Sequence, residues 1–146
     1  MTTLRREAIG RSENMRRIRS KNTKPELSLR RALFAKGLRY RIHAKNLPGK
    51  PDVVFRKQKI AILVHGCFWH QHPGCREASR PRSNTTYWAT KLQRNVERDQ
   101  QHEVELTRLG FRVLTFWECD IEHDVAKIAN EIARSVRRLP VERLTN

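Results

Sequence analysis

The sequence predicts a single mixed α/β domain whose elements follow the order α-β-β-β-α-β-α. Residues 60–64 form an apolar run without alternation, as expected of a central strand that is buried on both faces. Segments 25–36 and 124–139 place apolar residues at helical spacing. A length of 146 residues supports one core of ordinary size and excludes a separate cofactor-binding domain.

The first helix and three strands are predicted within residues 25–64. Pro25 suits the first turn of a helix, and Gly37 suits its end. Strands are predicted over residues 39–43, 52–56 and 60–64, with short polar turns between them. The apolar face of the helix is formed by Leu29, Leu33 and Phe34.

The second half of the chain is predicted to contribute one more strand to the sheet, between two helices. Residues 65–84 contain Gly, Pro and Ser, which favour an irregular excursion. A long, highly charged helix is predicted over residues 86–109, followed by a strand over 111–117. The last helix is predicted over residues 124–139, and Pro140 is expected to stop it.

The net charge indicates a polyanionic partner. The chain has 31 Lys and Arg residues against 15 Asp and Glu residues, a difference of +16. Basic residues bind nucleic acid by neutralising phosphates and releasing condensed counterions. A membrane surface is the competing partner, but we find no basic amphipathic helix that is not better used in the core. Since no apolar run approaches the roughly 20 residues that cross a bilayer, we expect a cytoplasmic protein without a membrane partner.

The charge is densest at the N-terminus. Residues 1–24 hold eight basic and two acidic side chains, which predicts a basic DNA-binding arm ahead of a single domain at 25–146. A solvated, frayed terminus is an equally good interpretation of this segment.

Cysteine and histidine are concentrated after the buried strand. Residues 65–75, HGCFWHQHPGC, contain three histidines and two cysteines. Thiolates and imidazole suit zinc, which takes four such ligands in structural sites. Cys67, Cys75 and Cys119 supply three ligands, and His72 is the best fourth. Three unrelated buried thiols are the alternative, and the odd count argues against a disulfide framework.

Two acids and two further histidines are candidates for catalysis. Asp52 stands at the mouth of the second strand, and Glu26 falls on the apolar face of the first helix. With a backbone carbonyl from the neighbouring strand, they suit Mg²⁺. His65 and His70 remain for proton transfer. The alternatives are a turn aspartate, a glutamate that complements the helix dipole, and structural histidines.

Three aromatic side chains are candidates for contact with DNA. Phe68 and Trp69 lie in a polar loop, where we expect them to have little chance of burial in the protein's own core. Exposed aromatics of this kind act as wedges between base pairs or as stacking platforms. Trp88 is a third candidate, although packing at the start of the long helix explains it nearly as well.

Several stretches together resemble the Vsr family, the very-short-patch repair endonucleases that nick DNA at T:G mismatches. The resemblance extends over nearly the whole chain up to about residue 120, and HGCFWH with the later WEC is its most specific part. The matching stretches are SENMRRI, NTKPE, LPGKPDVVF, HGCFWHQHPGC, YWATKLQRNVERD and GFRVLTFWEC.

The resemblance implies a restriction-endonuclease-like sandwich and a Mg²⁺-dependent endonuclease that nicks one strand of double-stranded DNA. It implies that Asp52 is the metal-binding catalytic acid and that Glu26, His65 and His70 orient metal-bound waters. Within this set, His70 activates the attacking water and His65 lies near the leaving group. The family uses a main-chain carbonyl as a metal ligand, often from Thr, at the position where this chain has Val64.

The resemblance also implies a set of zinc ligands and a DNA-contacting surface. The zinc ligands are Cys67, His72, Cys75 and Cys119, and His72 is preferred because Gln71 stands where other members carry another histidine. Intercalation from the major groove is implied for Phe68, Trp69 and Trp88, a minor-groove crossing for the arm with Met15, and proximity to the mismatched pair for Lys91 and Asn95. We expect a monomer. Whether mismatch-repair proteins are partners stays open, and the alternative function is a zinc-stabilised DNA-binding protein without nuclease activity.

Overall fold

The structure, a computed structural model, describes residues 23–145, with side chains as far as residue 138. Each of the seven predicted elements has a counterpart there, which confirms a mixed α/β domain. Most of the predicted basic arm, including Met15, lies outside the described residues. In chain order the elements are helix α1 (Lys24–Ala35), strands β1 (Arg41–Ile42), β2 (Val53–Phe55) and β3 (Ile60–His65), a 3-10 helix (Arg76–Ala78), helix α2 (Thr85–Arg108), strand β4 (Arg112–Trp117), and helices α3 (Glu118–His123) and α4 (Val125–Thr145).

The four strands form one sheet in the order β1-β2-β3-β4. Strand β2 is antiparallel to both β1 and β3, whereas β3 and β4 are parallel, with His65 opposite Trp117. Consequently the ends of β1, β3 and β4 and the start of β2 meet at one edge of the sheet. Residues that follow or precede these strands are brought together at that edge.

Helices cover both faces of the sheet. On one face, α1, α3 and α4 pack on alternate strand residues such as Ile60 and Ile62, which point to one side because side chains alternate along a strand. On the other face, Leu63 lines the same cavity as His102 of α2. The main core contains Leu29, Leu33, Leu38, Val53, Phe55, Ile60, Ile62, Ile121, Ile128, Ala129, Ile132, Ala133 and Val136.

Three details of the predicted elements are wrong. Strand β1 has two residues rather than five, because it is an edge strand whose Ile42 remains exposed. Helix α4 continues through Pro140 to Thr145, so Pro140 does not stop it, although an interior proline removes one hydrogen bond and crowds the preceding turn. Helix α3 was not predicted, because a six-residue helix with one buried apolar residue, Ile121, has no periodic pattern.

Within residues 23–145, none of the helices combines the length and the apolar character that crossing a membrane requires.

Candidate active site and metal centre

A cavity of about 400 Å³ opens at the edge of the sheet where the strand ends meet. It brings together three residues that the sequence singled out, Asp52, His65 and His70, and it is also lined by Val64. Exposed basic side chains stand around it, among them Lys50 and Arg98. The full lining is His43, Lys45, Gly49, Lys50, Asp52, Leu63, Val64, His65, His70, Arg98, Asp99 and His102.

Asp52 is held at the mouth of β2 by backbone groups of β3. Its N–H donates to the carbonyl of Ile62 over 3.0 Å, and Val64 N–H donates to its Oδ2 over 2.6 Å. The pKa of Asp52 is raised to about 8, because burial raises it most, the Val64 N–H partly opposes burial, and the neighbouring Glu26 raises it as well. Two carboxyl groups in contact in a buried site favour a bound cation, because a cation lets both ionise. Val64 contributes its N–H here, and its carbonyl as a metal ligand stays a prediction.

Glu26 lies behind Asp52 and also caps helix α1. Thr23 Oγ1 accepts from the Glu26 N–H over 3.4 Å, and Thr23 N–H donates to Glu26 Oε2 over 3.3 Å, which forms a capping box. The side chain is only 3% exposed, and its Oε1 lies 3.7 Å from both Arg30 and His43. Glu26 therefore stabilises the start of the helix and shares the buried acidic site with Asp52.

The two candidate catalytic histidines form a stack beside the acids. The rings of His65 and His70 have centroids 3.9 Å apart and planes 3° apart. The pKa of His65 is lowered to about 4, mainly by burial and also by the neighbouring His70, while Asp99 opposes the shift. His65 is therefore a neutral imidazole at physiological pH. His70 places Nδ1 at 2.6 Å from Oδ2 of Asp99, which leaves Nε2 of that ring for other chemistry.

Asp99 is a further residue of the candidate site that the sequence did not single out. It lies in α2, one helical turn after Asn95 and two turns after Lys91, so the three share one face. That face contacts the loop after β3: Asn95 Nδ2 donates to the Trp69 carbonyl over 3.2 Å, and Lys91 Nζ lies 5.9 Å from the centre of the Trp69 ring. The spacing from Asn95 was the available signal for Asp99.

The loop after β3 also assembles the predicted metal ligands. Cys67, His72, Cys75 and Cys119 each place one ligand atom within 4.8 Å of the others, a group that could hold a metal ion. Cys75 Sγ lies 4.0 Å from Cys119 Sγ, which in turn lies 3.4 Å from His72 Nδ1. All three cysteines are free thiols. Burial raises the pKa of Cys67 to about 12, so a cation is needed to make this thiol a thiolate at neutral pH.

Two residues, Trp117 and Gln71, support the loop between the cavity and the cysteine-containing site. Trp117 stacks on His72 with ring centroids 4.2 Å apart and meets His65 edge-on at 5.3 Å. Gln71, in the left-handed region with φ of 51°, donates through Nε2 to the carbonyls of Phe68 and Ala78 over 2.6 and 3.1 Å. The side chain of Gln71 thus supports the loop, and His72 is the residue turned toward the cysteines.

The aromatic side chains are more buried than the sequence suggested. Phe68 is 6% exposed, so the expectation that it has little chance of burial in the protein's own core is wrong, and Trp88 is fully buried. Trp88 and Leu92, one turn apart on α2, form a second small core with Phe68, and Trp69 packs partly buried against it. Packing explains Trp88 in the structure, and insertion of the three rings between base pairs stays a prediction.

Acids that suit a cation and histidines that suit proton transfer share this cavity, an arrangement that is typical of a hydrolytic enzyme. A family model described as DNA mismatch endonuclease Vsr matches residues 6–76. The chain belongs to the Vsr family, as its motifs indicated.

Several curated proteins are similar to the chain. The type II nicking enzyme V.XorIIP of Xanthomonas oryzae pv. oryzae is 46% identical over 107 residues, which are 73% of this chain and 78% of the relative. The type II nicking enzyme V.NmeAIP of Neisseria meningitidis serogroup A is 45% identical over 77% of this chain and 80% of its own length. The DNA mismatch endonuclease Vsr of Escherichia coli K12 is 42% identical over 75% of this chain and 69% of its own length.

Proposed function

We propose that the protein is a DNA mismatch endonuclease that nicks one strand of duplex DNA beside a T:G mismatch, by Mg²⁺-dependent hydrolysis of a phosphodiester. A T:G pair arises when 5-methylcytosine is deaminated, so the reaction is the first step of a short-patch repair. The observation that carries the proposal is the cavity in which Asp52 and the His70–Asp99 pair meet. The names of the relatives, nicking enzymes and a mismatch endonuclease, support the same activity.

The acidic part of the cavity fits a hard divalent cation. Asp52, Glu26 and the carbonyl of Val64 offer oxygen donors, which Mg²⁺ prefers. When bound, the cation supplies neutralisation of the charge that develops on the phosphate. The raised pKa of Asp52 fits this assignment, because burial and, to a smaller extent, the neighbouring Glu26 disfavour the ionised carboxylate, and a bound cation offsets both effects.

The histidines handle the protons of the hydrolysis. Asp99 accepts from Nδ1–H of His70, so Nε2 of His70 takes a proton from the water whose oxygen attacks phosphorus. His65 stays neutral with its pKa of about 4, and it donates a hydrogen bond toward the leaving deoxyribose oxygen. Each histidine thus keeps the role that the family resemblance implied for it.

The cysteine-containing site fits structural zinc. Three thiols and one imidazole are a donor set of the kind that zinc takes in closed tetrahedral sites. Cys67, His72 and Cys75 belong to the loop after β3, and Cys119 belongs to α3. Zinc at this place ties the loop to the sheet and thereby fixes His65 and His70 on either side of Cys67.

DNA binding follows from the charge and the aromatic cluster. Exposed Lys45, Lys50 and Arg98 stand beside the acids, where they contact phosphates and position the strand. A T:G wobble is easier to unstack than a matched pair, so insertion of aromatic rings favours the mismatch. Trp69 is the least buried of the three rings and therefore the best placed for insertion, whereas insertion of Phe68 and Trp88 requires the small core to open.

The remaining assignments extend the same proposal. Residues 25–146 act as one endonuclease domain, residues 1–24 act as an arm in which Met15 crosses the minor groove, and Lys91 and Asn95 lie near the mismatched pair. The fold is the restriction-endonuclease-like sandwich, the protein works as a monomer, and its place of action is DNA in the bacterial cytoplasm.

The decisive experiment compares nicking of a T:G duplex and a T:A duplex of one sequence, with Mg²⁺, by the wild type and Asp52→Asn. We expect the wild type to nick the T:G duplex and the variant to bind it without nicking. A wild type that binds tightly and never nicks would leave the zinc-stabilised DNA-binding protein as the function.

A further inference from the structure

His43 follows β1 directly and lies in the wall of the catalytic cavity. Its φ of 49° is in the left-handed region, which disfavours residues that carry a Cβ. Strained backbone of this kind persists where the surrounding structure holds it, and it concentrates at functional sites. At this position the imidazole of His43 approaches Glu26, the buried acid of helix α1. This contact suggests why the strained backbone is kept.

Two buried polar atoms face each other in this contact. His43 Nε2 lies 3.7 Å from Glu26 Oε1, and neither atom has a hydrogen-bond partner among the described residues. Buried polar atoms are nearly always paired, because burial removes their bonds to water. The separation exceeds the roughly 2.7–3.2 Å of an N–H···O bond by a small amount, so a modest shift of either side chain closes it.

The two oxygens of Glu26 have different surroundings. Oε2 is fixed by the Thr23 N–H at the start of α1, whereas Oε1 faces His43 and, at the same 3.7 Å, the guanidinium of Arg30. The carboxyl of Glu26 also contacts Asp52. Asp52 and Glu26 are the proposed ligands of the cation, and donors behind metal ligands hold such ligands in their orientation.

We propose that His43 is a positioning residue for the acidic pair: its Nε2–H donates to Glu26 Oε1 and keeps Glu26 turned toward Asp52 when a divalent cation is bound. The inference rests on the proposed function, in which Asp52 and Glu26 hold that cation. His43 acts through Glu26 and touches neither the cation nor the DNA.

The test measures cation binding separately from nicking. Calorimetric titration of the zinc-loaded protein with Mn²⁺, without DNA, compares the wild type with His43→Leu and His43→Gln. We expect His43→Leu to weaken Mn²⁺ binding about 10-fold, as loss of a bond behind a metal ligand does. His43→Gln restores most of the affinity, because its amide donates to the same oxygen. Asp52→Asn is the control that should lose Mn²⁺ binding. His123→Ala, which changes an exposed histidine of α3, should bind Mn²⁺ like the wild type.

Nicking assays on the same proteins separate positioning from a merely structural effect. The Mg²⁺ concentration that gives half-maximal nicking rises in His43→Leu, whereas the rate at saturating Mg²⁺ stays near that of the wild type. Equal Mn²⁺ affinity in the wild type and His43→Leu overturns the inference, as does a wild type that binds no Mn²⁺. A wild type that never nicks, with a His43→Leu variant that still loses Mn²⁺ affinity, overturns the proposed function and leaves this inference standing. If circular dichroism shows that His43→Leu does not fold, Mn²⁺ affinity is compared between His43→Ala and His43→Gln instead. Equal affinities in these two variants overturn the inference.

Discussion

His70 Nδ1 lies 2.6 Å from Oδ2 of Asp99, a contact that joins the loop after β3 to the middle of helix α2. An ionised carboxylate only accepts hydrogen bonds, so it selects the form of the ring in which Nδ1 carries the proton. Nε2 is then free of a proton and able to take one. The pair thus has the arrangement of a general base and the acid that orients it.

Asp99→Asn should lower the nicking rate about 10²–10⁴-fold, the range that a positioned general base contributes. An asparagine amide donates to Nδ1 and selects the wrong form of the His70 ring, while the fold and the DNA affinity are kept. Single-turnover nicking of a T:G duplex and fluorescence anisotropy of DNA binding measure the two effects. Glu97→Gln, an exposed acid of the same helix, is the matched control and should nick like the wild type. Normal nicking by Asp99→Asn would remove His70 as the base.

Stability should fall as the pH rises through the range in which Asp52 titrates. The folded pKa of Asp52 is about 8, above the unfolded value of about 3.9, so between these values the folded state binds more protons than the unfolded state. Without Mg²⁺, the urea midpoint of the wild type should therefore be lower at pH 8 than at pH 5. Asp52→Asn does not titrate and should lose this part of the difference.

Asp120→Asn, which changes an exposed aspartate of α3, should keep the pH dependence of the wild type. If the urea midpoint changed with pH equally in the wild type and Asp52→Asn, Asp52 would have no raised pKa in the folded protein.

Removal of the cysteine-containing site should release zinc and lower the melting temperature. Elemental analysis of the purified wild type should find about one zinc per chain, as four ligands in one tetrahedral site require. Cys119→Ser should retain little zinc, because it removes the ligand that joins the loop to α3. His123→Ala, in the same helix, should retain zinc fully. A zinc-free wild type that melts at the same temperature as a zinc-loaded one would contradict the assignment.

The strands predicted the edge of the sheet at which the site forms. They did not predict which helix residues contact the site. The apolar run at 60–64 identified β3, and the Pro51–Asp52 pair placed the acid at the start of β2. The spacing from Asn95 indicated only which face of α2 carries Asp99, because the partner of Asp99 is set by the docking of α2 on the loop after β3. His43 was missed for the same reason, since its contact with Glu26 depends on how α1 packs on the sheet.

Inference from the sequence fails most clearly for Phe68, in the loop after β3. A polar stretch with two large aromatics suggests exposed rings when the stretch is considered alone. The structure buries Phe68 because Trp88 and Leu92, which are 20 and 24 positions later, come from α2 to cover it. Burial of this kind depends on tertiary packing, and no local pattern of the loop contains it.

Trp69→Ala should reduce the preference for a T:G duplex over a T:A duplex about 10-fold or more, since each inserted wedge is associated with a few kcal/mol of unstacking. Trp69 is the suitable target because it is only partly buried, so its removal leaves the packing of Phe68 on Trp88 in place. The measurement is the ratio of kcat/KM for the two duplexes, with circular dichroism to verify folding. Phe34→Ala, which removes an exposed aromatic of α1 away from the cavity lining, is the matched control and should keep the wild-type ratio. An unchanged ratio in Trp69→Ala would show that mismatch selection comes from another part of the interface.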